Sequence, residues 1–328
     1  MNRISAFTAL ASLLLLIITS ACVKSYRKAE GMVWHTSYHV TYESDRDLSD
    51  SILAAFNTVG QSLNVFDSTS LVSKVNNGDS IPVDGHFATV YEMARRVNRI
   101  SDGAFDPTLG PLIDAWGFGK GHKATADTLR IDSLLNITGI ARTKIENGTL
   151  IKEDRRISFN FSAIAKGYGC DMVAEMFERN GVSNYLVEIG GEIRCGGKSP
   201  SGNKWRVSID RPIRSDSIRH DSQCIVEISG CGLATSGNYR NFSTDGAPGT
   251  GHTISVTTGR PVVTDILSAS VIAPTTMEAD ALATAMMALR SARAKKLAEN
   301  LGYPTLLVLA DSTVWQHLLP ISPEDAEP

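Results

Sequence analysis

The chain lacks an excess of charge of either sign, and this excludes several classes of protein. Its 328 residues carry 32 lysines and arginines against 35 aspartates and glutamates, which gives a formal net charge of −3. Nucleic-acid-binding domains usually present a basic excess or a basic stripe, so we expect no nucleic-acid partner. The 12 prolines and 27 glycines are too few for a collagen-like or low-complexity chain. The composition is typical of a globular protein.

A long apolar run is also missing. The apolar stretch from Ala9 to Ile18 spans about ten residues, against the ~20 that a transmembrane helix needs. It follows Arg3 and precedes three small residues and Cys22, an order typical of a cleaved export signal. We predict a signal peptide over residues 1–21 and a lipid on Cys22, although Thr19 stands where a lipobox usually has an aliphatic residue. The alternative is a plain secretory signal with a coincidental cysteine.

The predicted lipid would tether a mature chain of residues 22–328 outside the cytoplasm, in the periplasm, by the lipid anchor alone. Four cysteines remain in that chain. An oxidising compartment permits disulfides, but four cysteines allow three pairings, and the sequence does not choose among them. The absence of a Cys-x-x-Cys pair argues against a structural zinc site formed by these residues. The four are Cys170, Cys195, Cys224 and Cys231.

Hydrophobic periodicity predicts an α+β fold. Strands come in runs joined by turn-rich segments, without the strict strand–helix alternation of a doubly wound sheet. Predicted helices are Asp47–Leu63, Phe87–Ile100, Ile164–Arg179 and a helix that begins after Pro274. Predicted strands are Val33–Tyr42, short strands between Ile145 and Phe161, Tyr185–Ile189, Trp205–Ile209, Ile225–Ser229, Ile254–Thr257, Ser268–Ile272 and Thr305–Leu309. Residues 101–125 are predicted to form loops.

The pair His35 and His39 has the spacing of a metal-binding pair on a helix. The surrounding alternation predicts a strand, where four residues at ~3.3 Å each separate the two side chains by roughly 13 Å. That distance is too great for one metal ion, and we reject a site there.

A helix start with oxygen ligands is predicted at residues 275–284. Thr275 and Glu278 have the spacing of a capping box. Asp280 and Thr284 then lie one turn apart on one helical face, and both offer oxygen, the atom that magnesium prefers. The alternative is a helix start whose aspartate complements the helix dipole and whose threonine bonds back to a carbonyl.

Three further segments could carry chemistry. Residues 103–119 hold two proline turns followed by aromatics among glycines, which suits a wall against a flat ligand or simply a structural loop. Residues 160–168 are predicted to pass from a strand into a helix, where free backbone N–H groups and Lys166 could meet a phosphate; an exposed lysine is the alternative. The third group consists of Glu188–Glu192, Thr235–Tyr239, Gly251–Ile254 and Thr258–Pro261. Its glycines could be turns, and its His252 a structural histidine.

Taken in order, these segments resemble the ApbE family, the FAD:protein FMN transferases. The resemblance runs from about Gly31 to Leu309, and the ordered set of motifs is more specific than any one of them. The motifs are AFDPT-GPL-WGFG, AKGY, IGGE, SGNY, H-I…TGRP and EAD-AT. The resemblance implies an ApbE-like fold of mixed, mostly antiparallel sheets with flanking helices, either as one domain or as two intertwined subdomains.

The family's activity would be a magnesium-dependent transfer. FAD is split at its pyrophosphate, FMN is joined by a phosphoester bond to a Thr or Ser of a target flavoprotein, and AMP leaves. The expected partners are therefore FAD and an acceptor flavoprotein subunit of a membrane redox complex. By motif, magnesium would be held by side-chain oxygens of Asp280 and Thr284 and by carbonyl oxygens of Ala163 and Ala283. His252 would act as a base or stabilise the transition state.

The resemblance also assigns contacts to the flavin nucleotide. These residues are Met32, Phe66, Ala104, Phe105, Asp106, Asn160, Lys166 and Ile254. The chain departs from the family where His35 replaces a glycine and where Asn160 and Ser162 replace an aspartate and a glycine. Two alternatives remain open: an FAD pyrophosphatase that releases FMN and AMP, and a non-catalytic flavin-binding lipoprotein. Chromatography of the flavin products with and without an acceptor would separate the transferase from the pyrophosphatase, whereas the lipoprotein would bind FAD tightly and produce no AMP.

Overall fold

The computed structural model describes residues 25–78, 81–118, 127–212, 221–237 and 253–322, and the structural statements below concern these ranges. The predicted signal peptide and Cys22 lie outside them, so export and lipidation stay predictions. Across the same ranges, every helix is too short or too polar to traverse a lipid bilayer.

An eight-stranded sheet organises the fold, and two two-stranded hairpins accompany it. The strands are β1 (Ser25–Val33), β2 (Thr36–Ser44), β3 (Thr143–Glu146), β4 (Thr149–Lys152), β5 (Tyr185–Ile189), β6 (Glu192–Gly196), β7 (Trp205–Asp210), β8 (Ser222–Ile228), β9 (Cys231–Gly237), β10 (Ile266–Ala273), β11 (Thr305–Leu309) and β12 (Val314–His317). The large sheet has the order β1-β2-β5-β6-β9-β10-β11-β12, and all of its neighbouring strands are antiparallel. The predicted α+β class, with mostly antiparallel sheets, is confirmed.

Helices lie between the strands along the chain. They are α1 (Ser49–Leu63), α2 (Leu71–Asn76), α3 (Gly85–Ile100), α4 (Gly110–Ala115), α5 (Thr128–Leu135), α6 (Ala165–Arg179), α7 (Thr276–Ala288) and α8 (Ser291–Leu301). Helix α7 is buried along nearly its whole length, with alanines at many of its positions. A helix that is apolar all round belongs in a core, and small side chains let its neighbours approach closely.

The two faces of the central strands are covered differently because side chains alternate along a strand. Val271 and Leu307 point to the cluster formed with helices α3, α7 and α8. Ile272 and Leu306 point the opposite way and pack against the β7–β8 hairpin. The sheet is therefore the middle layer, between helices on one side and a hairpin on the other.

Several sequence predictions match the structure, and others are wrong. Tyr185–Ile189 and Thr305–Leu309 have the predicted bounds. The predicted strand Val33–Tyr42 is interrupted, because Trp34 and His35 adopt positive φ angles of 48° and 65° and form the turn between β1 and β2. His39 lies on β2 and its Nδ1 is 2.6 Å from a carboxylate oxygen of Glu188.

Of the short strands predicted between Ile145 and Phe161, β3 and β4 are formed, but the strand expected to lead into Asn160 is not, and neither is Ile254–Thr257. Ile254 makes only an isolated bridge with Pro261. Just before Asn160, the side chain of Asn76 makes two hydrogen bonds to the backbone of Phe159. Its Nδ2 donates to the carbonyl oxygen and its Oδ1 accepts from the N–H, each at 2.7 Å. A side chain thus replaces the neighbouring strand that the alternating pattern had implied. The predicted loop at 101–125 also contains helix α4.

Candidate active site

A cavity of about 990 Å³ lies beside the large sheet, at the upper end of the range for ligand pockets. Its walls come from the loop before α4, the segment before α6, the β5–β6 turn, strands β7 and β9, and helix α7. The lining residues are Phe66, Ala104, Phe105, Asp106, Pro107, Leu109, Ile113, Gly117, Phe118, Asn160, Ser162, Ala163, Lys166, Gly190, Gly191, Glu192, Ile193, Ser208, Ile209, Asp210, Leu233, Thr235, Ser236, Gly237, Thr253, Ile254, Thr284 and Met287.

The start of helix α7 is fixed by polar contacts on two sides. The N–H of Glu278 donates to Oγ1 of Thr275 at 3.2 Å, as the capping box predicts. The reciprocal half of the box is absent, because the Glu278 carboxylate instead accepts a bond from Arg96 at 2.6 Å. In its place, the two carboxylate oxygens of Asp171 accept the N–H groups of Thr276 and Met277 at 2.9 and 2.8 Å. These bonds satisfy donors that a helix start leaves free.

Two glycines on neighbouring elements allow their backbones to pack directly against the backbone at the start of α7. A Cβ atom on Gly167, in the AKGY motif, would lie 2.4 Å from the carbonyl oxygen of Thr276. A Cβ atom on Gly232 of β9 would lie 2.3 Å from the backbone N of the same residue. The N–H of Gly167 donates to Asp280 Oδ2 at 3.1 Å. The AKGY segment and the EAD-AT helix are therefore joined directly.

Three ionisable side chains form what we call the charged cluster: Lys166, Glu192 and Asp280. Nζ of Lys166 lies 2.5 Å from Oε1 of Glu192. Burial raises the pKa of Glu192 to about 7, and burial also raises the pKa of Asp280. Desolvation would lower the pKa of Lys166, but the nearby Asp280 and Glu192 carboxylates outweigh it and hold that pKa well above its ordinary value.

The charged cluster fits a divalent cation. Two buried carboxylates face a single ammonium, and Oε2 of Glu192 is buried without a hydrogen-bond partner among the described residues. Thr284 lies one turn after Asp280 and lines the cavity, with Oγ1 at 3.1 Å from Oγ of Ser236. No group of three His, Cys, Asp or Glu residues suited to a metal occurs in the described ranges. Asp280 and Thr284 offer oxygen, the atom that magnesium prefers, and magnesium usually keeps water and substrate phosphate among its ligands.

Most of the residues assigned by resemblance line this one cavity. Met32 does not; it lies on β1 with 70% of its surface exposed. Asp280 and Ala283 are buried in α7 and are not part of the cavity wall. His252 lies outside the described residues. Those that do line the cavity are Phe66, Ala104, Phe105, Asp106, Asn160, Ala163, Lys166, Ile254 and Thr284.

Asp106 has a structural function in addition to its place in the wall. One oxygen accepts the N–H and the hydroxyl of Thr108 at 2.8 and 2.6 Å, and the other accepts the N–H of Ile140 at 3.0 Å. Burial raises the pKa of this carboxyl. Its side chain therefore fixes the AFDPT loop.

The two phenylalanines of the predicted flavin site differ in exposure. Phe105 is 3% exposed and packs in the main core, whereas Phe66 is 53% exposed at the cavity wall. With Leu109, Ile113, Phe118 and Ile254, Phe66 forms what we call the apolar wall of the cavity. Because aromatic faces stack on flat rings, Phe66 is the better placed of the two for stacking.

Sequence reasoning missed part of the site. Ser208 and Asp210 reach the cavity from β7, and Leu233 reaches it from β9. Thr235 and Ser236, also on β9, belong to the segment Thr235–Tyr239 that the sequence had singled out. The one sequence signal for the β7 residues was alternation in Trp205–Ile209, which predicts a strand but not what that strand faces. Asp171 was missed because the backbone that it caps lies more than a hundred residues later.

A family model matches most of the chain. The model of the ApbE family matches residues 34–307. The chain belongs to the ApbE family. An ApbE relative from Vibrio cholerae serotype O1, named FAD:protein FMN transferase, is 35% identical over 317 residues, which cover 92% of each chain. The protein of the same name from Escherichia coli strain K12 is 30% identical over 291 residues, covering 86% of this chain and 82% of its own.

Solved ApbE structures have the same architecture. The flavin transferase ApbE from Vibrio cholerae superposes with a TM-score of 0.80 at 31% identity, covering 90% of this chain and 98% of its own. The apo form of the Pseudomonas stutzeri flavinyl transferase ApbE gives a TM-score of 0.79 at 28% identity, with 90% and 96% coverage.

Proposed function

We propose that this chain is an FAD:protein FMN transferase, which joins FMN from FAD to a hydroxyl of an acceptor protein and releases AMP. The observation that carries the proposal is the charged cluster set into a cavity that also has an apolar wall. A dinucleotide with a flat ring at one end and a diphosphate in the middle needs both surfaces. The names of the ApbE relatives support the same activity.

Lys166 is the residue that would bind the diphosphate. Its side chain is 31% exposed at the cavity, and its Nζ is held by Glu192. Its pKa is held high, so the ammonium stays charged at neutral pH. A fixed positive charge beside phosphate oxygens stabilises the charge that develops on them during transfer. Glu192 therefore orients the lysine.

Asp280 and Thr284, with carbonyl oxygens of Ala163 and Ala283, are the proposed magnesium ligands. Bound magnesium would neutralise charge on the diphosphate and hold it in position. The contacts of Asp171, Gly167 and Gly232 fix the turn that carries these ligands before any substrate arrives. That pre-organisation is what a phosphotransfer site requires.

The transfer step would proceed as follows. The acceptor hydroxyl oxygen bonds to the FMN phosphorus, and the bond from that phosphorus to the bridging oxygen breaks. AMP leaves with the bridging oxygen and its electron pair, and a base accepts the hydroxyl proton. We propose His252 for this function. We further propose that the acceptor is a subunit of a membrane redox complex and that the chain meets it outside the cytoplasm, tethered by a lipid on Cys22.

The experiment combines the purified chain with FAD, magnesium and several acceptor flavoprotein domains. We expect an acceptor that gains the mass of an FMN phosphoester, AMP in equal amount, and no product after chelation of the metal. The Vibrio cholerae relative is the positive control. Free FMN and AMP without a modified acceptor would identify a pyrophosphatase. Tight FAD binding without AMP under any condition would identify a carrier, and either result would overturn the proposal.

A further inference from the structure

Two cysteines face each other across adjacent strands of the large sheet, on the side away from helix α7. In the β6–β9 ladder, Cys195 lies directly opposite Cys231. Directly opposed residues of antiparallel strands have Cα atoms about 4.5 to 5.5 Å apart, within the range that a disulfide spans. Sγ of Cys195 lies 3.8 Å from the carbonyl oxygen of Cys231. No disulfide joins any of the four described cysteines in the structure.

Both side chains point to the same face of the sheet. Cys195 is fully buried in the cluster with Trp205 and Leu233, and Cys231 packs against that cluster. We propose that Cys195 and Cys231 form a disulfide that links β6 to β9. The bond closes a loop that contains the β7–β8 hairpin, and it ties together two strands that contribute residues to the cavity.

Cys224 is the competing partner, because it lies on β8 and packs against the same cluster. It belongs to a separate hairpin that packs onto the face of the large sheet, however. Cys195, by contrast, lies directly opposite Cys231 within one ladder, at a Cα separation that a disulfide spans. Cys170 lies on α6 in a different core cluster. The geometry therefore favours Cys195 as the disulfide partner of Cys231.

The pKa shifts and the exposure of the two thiols indicate which one reacts first with an oxidant. A hydrogen bond that the Cys195 thiol donates to the Cys231 thiol lowers the pKa of Cys231, which is also the more exposed of the two. The same thiol-to-thiol hydrogen bond, together with burial, raises the pKa of Cys195. The Cys231 thiolate attacks an external disulfide and releases one thiol; Cys195 then loses its proton, attacks the mixed disulfide at Cys231 and releases the second. One external disulfide is reduced to two thiols for each bond formed.

Glutathione disulfide is the oxidant for the test. The full chain is incubated with it, free thiols are alkylated under denaturing conditions, and the protein is digested with trypsin and a protease specific for glutamyl bonds. Cleavage after Arg194, Lys198 and Glu227 puts Cys195, Cys224 and Cys231 on separate peptides. We expect a linked pair of the Cys195 and Cys231 peptides, two hydrogens lighter than their sum. A link through Cys224 or Cys170, or four alkylated thiols, would overturn the proposal.

A thermal test uses a matched pair of variants. Oxidation should raise the melting temperature of the wild type and of Cys224→Ser by roughly 5 °C, because the bond restricts the unfolded chain. It should leave the melting temperature of Cys231→Ser unchanged. An equal rise in Cys231→Ser would assign the stabilisation to another pair. These readouts do not depend on flavin transfer, so the inference stands or falls separately from the proposed function.

Discussion

The apolar wall and two members of the charged cluster, Lys166 and Glu192, line the same cavity, yet the two regions are built differently. Asp280 and Glu192 are buried, and Asp171 and the two packing glycines fix the helix start beside them. Phe66, in the apolar wall, is half exposed. A diphosphate and a metal need fixed geometry, whereas stacking tolerates small shifts of a ring. Substitutions in the charged cluster should therefore affect the chemistry, and substitutions in the apolar wall should affect affinity.

The largest effect is expected at the predicted metal ligand Asp280. Asp280→Asn keeps the shape of the side chain and removes its charge, so we expect the rate of flavin transfer to fall about 1,000-fold. The measurement is the initial rate at saturating FAD over a series of magnesium concentrations. Asp50→Asn, at the exposed start of α1, is the control. A rate within a few fold of wild type, with an unchanged magnesium requirement, would remove Asp280 from the metal site.

The next effect concerns close packing at α7. Gly167→Ala places a methyl group 2.4 Å from the Thr276 carbonyl oxygen, so we expect a loss of about 3 kcal/mol in the free energy of unfolding. Urea denaturation measures it. Gly85→Ala is the matched control, because a Cβ there has no neighbour within 4 Å. Equal stability of the two variants would show that α6 and α7 can separate at little cost.

A pH effect is expected from Asp171. Burial raises its pKa from 3.8 to about 6 in the folded chain. The folded state then binds more protons than the unfolded state between these pH values, so the unfolding free energy should decrease as pH rises from about 4 to about 6. We expect Asp171→Asn to remove this decrease, which amounts to about 3 kcal/mol over the whole interval. Denaturation midpoints across this pH range test it, and an unchanged slope would contradict the assignment.

The smallest effect is expected in the apolar wall. Phe66→Ala should raise the KM for FAD about 5-fold and leave kcat and the melting temperature nearly unchanged, because it removes stacking alone. Leu129→Ala, also exposed but outside the cavity wall, should change neither constant. A large fall in kcat for Phe66→Ala would mean that both regions position the reacting atoms, and the contrast between them would fail.

The sequence predicted those parts of the fold that depend on local patterns. Apolar spacing located α1, α3 and α6, and Thr275 marked the start of α7. Strands β6 and β9 were missed, because glycines and cysteines interrupt their alternation. The turn at Trp34 and His35 was missed because neither residue is glycine, although both have positive φ.

Within the site, the ordered motifs predicted most of the residues that line the cavity. They did not predict contacts between distant segments. The pairing of Lys166 with Glu192 depends on how α6 meets β6. The cap from Asp171 onto α7 likewise depends on tertiary packing. The spacing of residues along the sequence carries no information about such contacts, because the local pattern around each residue would be the same if the other residue were absent.

The cavity takes its lining from Phe66 near one end of the chain to Met287 near the other. This arrangement determines when the cavity can form during synthesis. Until the ribosome has added helix α7, the growing polypeptide lacks Asp280, Ala283 and Thr284 of the four proposed metal ligands, and it lacks the helix against which the AKGY segment packs. The cavity wall is therefore complete only when nearly the whole sequence is present.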